Sequence, residues 1–71
     1  MLTTEERLAS VKFSRYLERG TLQGHTLEDA ADYAALSGMS RQRARLELIS
    51  SGANPEEVST SLDYAYRRQG R

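Results

Sequence analysis

The chain has no cysteine, no net charge and no long apolar run, and each absence removes a class of protein. Without cysteine there is neither a disulfide framework nor a thiolate metal site, so the folded state rests on helix packing or on association. A reducing compartment is permitted by this and not required. Ten Lys and Arg against ten Asp and Glu give a formal charge of zero, which argues against a protein held to nucleic acid mainly by bulk electrostatics. No window approaches the roughly 20 apolar residues of a membrane span. Met1-Leu2-Thr3-Thr4-Glu5-Glu6 also lacks the basic start and apolar run of a signal peptide. The expectation is a cytoplasmic protein without membrane contact. At 71 residues, 1–71 reads as a single helical domain with a modest core and no room for a deep catalytic cleft.

What is present is a series of helix start and stop signals. Thr3 and, three residues on, Glu6 suit a capping box, so a first helix is expected to run to about Glu18 within 1–20. Ala9, Phe13, Tyr16 and Leu17 share one face of it by 3.6-residue periodicity, while Leu8 and Val11 fall on another. Either two neighbours sandwich this helix, or Leu8 and Val11 face a second copy or a partner. Arg19-Gly20 ends it, and Thr21 to His25 reads as a loop. Thr26 as N-cap with Asp29 opens a second helix ending near Ser37, with Glu28, Asp29 and Asp32 near the positive end of its dipole. Its buried face is mostly small: Ala30, Ala31, Ala34 and Ala35, with Leu27, Tyr33 and Leu36.

Gly38 closes that helix and Ser40 caps a third, which runs to about Ser50 and buries Ala44, Leu48 and one of Leu46 or Ile49. Gly52 as stop, Asn54 as N-cap, Pro55 at the first helical position, and Glu56 and Glu57 behind it agree on one boundary. The last helix is expected to bury Val58, Leu62, Ala65 and Tyr66, with Arg67 and Arg68 at its negative end before Gly70. The reading is all-α, an N-terminal helix packed on a three-helix unit spanning 26–68.

The Gly38-Met39-Ser40 turn, Ala44 four residues beyond Ser40, the Gly52-Ala53-Asn54 connection and the closing helix carry a resemblance. Over roughly 27–66 the pattern resembles a ubiquitin-associated (UBA) domain, whose turn holds a Gly-aromatic-Ser sequence and whose last helix ends in leucines. The resemblance implies a three-helix bundle used for protein–protein contacts, with Met39 and Leu62 as candidate contact residues, and a core role for Leu62 stands beside that. Met39 replaces the usual aromatic and Asp63 follows Leu62 where a second Leu is usual. Desolvating that carboxylate is costly, which counts against ubiquitin as the partner.

A reading from another class uses the same residues. Ala34, Gly38, Met39 and Ser40, followed by a helix bearing Arg41, Gln42, Arg43 and Arg45, resemble a helix-turn-helix motif reading the DNA major groove. Ser37 and Glu47 stand where that motif is usually apolar. Arg41 and Arg43 oppose the dipole of their own helix. They mark an interaction surface, or they pair with Glu28, Asp29 or Asp32 inside the fold.

Chemistry is thinly represented. His25 stands alone in a Gly-containing loop with nothing to fix a nucleophile beside it, and it reads as a solvated residue. The dipole accounts for Glu28, Asp29 and Asp32 without a metal ion. No catalytic residue, cofactor or metal site is assigned. Tyr64 lies off the buried face of the last helix and joins the candidate contacts. The expectation is a non-catalytic adaptor or inhibitor that docks on a protein through Met39, Leu62 and Tyr64 with Arg41, Arg43 and Arg45 around them, with Leu8 and Val11 forming either a homodimer or a further partner contact.

Overall fold

Each helix begins on the cap read from the sequence. In the computed structural model, which describes residues 3–19, 24 and 26–70, the elements are α1 (Thr4–Arg19), α2 (Leu27–Leu36), α3 (Arg41–Ser50) and α4 (Pro55–Arg68), with no strand among the described residues. The Thr3 amide donates to Glu6 Oε1 at 2.9 Å and the Glu6 amide to Thr3 Oγ1 at 3.1 Å, the reciprocal pair of a capping box. Thr26 and Asp29 repeat it at 3.1 and 3.2 Å. Ser40 Oγ accepts from the Arg43 amide, and Asn54 Oδ1 from the amides of Glu56 and Glu57. α2 stops at Leu36 with Ser37 as its C-cap. Gly20 and the Thr21–His25 loop, apart from Gly24, lie outside the described residues.

The α3–α4 boundary gives a direct test of these caps. Asn54→Ala will cost about 0.5–2 kcal/mol by leaving two amides of the first turn without their acceptor. Gly52 has φ of 104°, and a Cβ there would meet nothing within 4 Å, so Gly52→Val is penalised by the backbone alone. That penalty is about 1–3 kcal/mol. Thermal melts check both values, and two unchanged transitions would mean that the caps do not fix the start of α4.

The helix held between two neighbours is α2 rather than α1. α2 packs on α1 along one flank and on α4 along the other, and α3 covers another side of α4. Ala30, Ala31, Ala34 and Ala35 are all fully buried, and their small side chains let both neighbours approach the α2 backbone closely. Around them, Phe13, Tyr16, Leu48, Val58, Leu62, Ala65 and Tyr66 form one continuous core. α1 contributes Ala9, Phe13 and Tyr16, and its last turn borders a shallow hollow beside Ser51, Gly52 and Ala53. Leu8 and Val11 are exposed, so the sandwiched reading of α1 fails. Ile49, not Leu46, joins the core margin, and Leu46 is 55% exposed.

Two polar side chains, Ser37 and Tyr66, tie the α2–α3 turn to the bundle. Ser37 is buried, but its hydroxyl donates to the Ala34 carbonyl at 2.7 Å and accepts the Met39 amide at 3.3 Å, so a polar residue is tolerated at a buried position where the helix-turn-helix pattern is usually apolar. The Tyr66 hydroxyl donates to the Met39 carbonyl at 2.6 Å, tying the end of α4 to the α2–α3 turn.

Candidate partner-binding surface

α4 carries different groups on its two flanks, and these divide the residues singled out in the sequence. Toward α3, Arg41 pairs with Asp63 at 2.5 Å, and Arg45 Nε donates to Ser59 Oγ at 3.2 Å. The contacts step one turn forward on α3 and one turn back on α4, as two antiparallel helices require. Asp63 thereby offsets the unfavourable position of Arg41 at the start of α3. Both side chains remain substantially exposed, so the pair contributes only about 0–1 kcal/mol. Arg43 projects from the outer face of α3 and, among the described residues, pairs with Glu47, one turn on, at 3.5 Å.

The acids of α2 do not receive these arginines. Asp32 pairs instead with Arg68 at the end of α4, because the acidic side of α2 meets the flank of α4 that faces away from α3. There α2 and α4 enclose a groove of about 480 Å³ lined by Glu28, Asp29, Asp32, Thr60, Tyr64 and Arg68. It adjoins a more open hollow bordered by Glu28, Glu56 and Glu57. The Arg68 guanidinium lies 5.1 Å from the Tyr64 ring centroid, within cation–π range. Its hydrogen bond to Asp32, reinforced by Coulomb attraction, holds it above the usual arginine pKa. Burial, with the charges of Asp29 and Asp32, raises the Tyr33 hydroxyl above its ordinary value.

The candidate contacts therefore do not form one patch. Tyr64 is 67% exposed on the α2 side of α4, whereas Arg41 and Arg45 follow the α3 side. Adjacent residues on a helix diverge by about 100°, which separates Tyr64 from Asp63. Met39 sits in the α2–α3 turn, half-buried against the core and tied to α4 through the Tyr66 hydroxyl. Of the two roles read for Leu62 the structure bears out the core one and removes the contact one: it has no exposed surface, since it belongs with Val58 and Ala65 to the inward stripe of α4, and its side chain is not available to a partner. The Asp32–Arg68 pair and the exposure of Leu46 escaped sequence reasoning. The former joins residues 36 apart, a distance over which local patterning carries no signal.

Among the described residues, no group of His, Cys, Asp and Glu is arranged to hold a metal ion, and no helix is long and apolar enough to cross a membrane. His25 lies outside the described residues. The class defined by the fold is a small all-α bundle of four helices. No protein-family model, curated protein or solved structure matches the chain.

Proposed function

We propose that the chain is a non-catalytic, cytoplasmic protein-binding module in which 26–68 is a UBA-like three-helix unit, acting as an adaptor or inhibitor by occupying a partner's surface. One observation carries this reading. Tyr64, a large amphipathic side chain, stands 67% exposed at the rim of the α2–α4 groove with Arg68 against its ring. Tyr and Arg are the residue types that most often anchor interfaces, and a half-buried Met39 at the same end of the bundle supplies adaptable apolar surface. Ubiquitin is not the proposed partner, because Asp63 with its Arg41 counter-ion occupies the end of α4 where a UBA-type contact is apolar.

Affinity capture from cells that express the protein, repeated after nuclease treatment, tests this. A protein retained by the wild type will be lost with Tyr64→Ala and with Met39→Asp while far-UV circular dichroism stays unchanged. Retention by both folded variants would remove this surface from consideration.

The exposure of Gln42 and of the Arg43 side chain at the start of α3, directly after the turn, favours a second reading as a helix-turn-helix DNA reader. Phosphate contacts would make affinity fall steeply with salt, and Arg43→Ala would relax preference at one base pair. The expected result is no sequence-specific duplex binding at physiological salt. Tight, salt-sensitive binding abolished by Arg41→Ala and Arg43→Ala would reverse the order of the two readings.

A further inference from the structure

Leu8, 55% exposed, and Val11, 47% exposed, lie on the side of α1 turned away from Ala9, Phe13 and Tyr16, which are buried on the bundle side. With Thr4 and Arg15 they form a stripe spaced four, three and four residues apart, the spacing of a seam between two helices. The charges beside this stripe select its occupant. We propose that α1 pairs antiparallel with α1 of a second copy across a two-fold axis.

In that arrangement Leu8 packs on Val11 of the second copy, and Val11 on Leu8. Glu5 then lies beside Lys12 of the second copy, and the two-fold axis repeats the pair. All of these side chains are exposed in the single chain, and the Lys12 ammonium, 5.6 Å from the Tyr33 ring centroid, is held at the edge of the seam. A parallel arrangement brings Arg7 beside Lys12 and Arg15 beside Arg15, which opposes like charges. The charge pattern thus complements itself in one direction only. An apolar seam of two turns is small beside the roughly 1,200 Å² of a stable interface, so the dimer dissociates readily on dilution. This inference concerns a different face from the proposed partner surface and stands independently of it.

Sedimentation equilibrium of the full chain up to millimolar concentration reads the association, with circular dichroism confirming that each variant is folded. Wild type will dimerise. Glu5→Lys and Lys12→Glu will each weaken dimerisation about tenfold or more, because each sets like charges together. An equal mixture of the two will restore it, since every cross-contact then joins opposite charges. Leu8→Glu will abolish dimerisation and keep its helicity. A wild type that stays monomeric overturns the proposal, as does a mixture no tighter than its components. Lost helicity in Leu8→Glu would place Leu8 in the fold and overturn it as well.

Discussion

Leu62→Ala will lower stability by about 2–5 kcal/mol, the cost of removing a fully buried leucine and leaving a cavity in its place. A chain of this length has only about 4–10 kcal/mol in total, so this one change consumes a large share of it. The physical basis is the position of Leu62 on the inward stripe of α4, where it is wholly screened from water with Leu48 and Val58. Denaturant titration will show a lower midpoint at unchanged slope. Tyr64→Ala, two residues away but exposed, will shift stability by no more than about 0.5 kcal/mol. The two substitutions thus separate folding from docking on one helix, and an Leu62→Ala protein as stable as the wild type would contradict the core described here.

Phe13→Ala will be the more severe change, costing about 3–5 kcal/mol. Phe13 is the chain's one phenylalanine and is almost completely buried, anchoring α1 to the bundle with Ala9 and Tyr16. α1 packs chiefly on α2 and makes no comparable contact with α3 or α4, whereas α2, α3 and α4 share the core around Leu48, Val58 and Leu62. The loss will therefore appear as detachment of α1 before the rest unfolds. Circular dichroism will show part of the helicity lost at a lower temperature, and hydrogen exchange will show α1 amides opening while those of α4 remain protected. A single cooperative transition for both regions would mean that 26–68 is not a self-supporting unit.

Local chemistry was legible wherever it acts within a few residues. The Thr3–Glu6 and Thr26–Asp29 boxes and the Ser40 and Asn54 caps depend on side chains meeting their own backbone within one turn, and Gly38 and Gly52 take left-handed backbone that the absence of a Cβ permits. Those interactions are written in spacing alone. The inward stripe of α4 was equally readable, because Val58, Leu62, Ala65 and Tyr66 recur at the helical period. The partners of the charged groups were not. Nothing in the order of residues says that Arg41 reaches Asp63, or that Arg68 rather than an α3 arginine takes Asp32.

Sequence by itself determined an all-α chain, the start of each helix and the face that each buries, since periodicity and capping are properties of neighbours in the chain. Tertiary structure decided which helix lies in the middle. The alanine faces of α2 accept α1 and α4 together, and this placement leaves Leu8 and Val11 outside and turns Tyr64 away from Arg41 and Arg45, onto opposite flanks of α4. Those outcomes depend on how helices approach one another in space, and close approach is set by the shapes of facing surfaces rather than by the order of residues within either one.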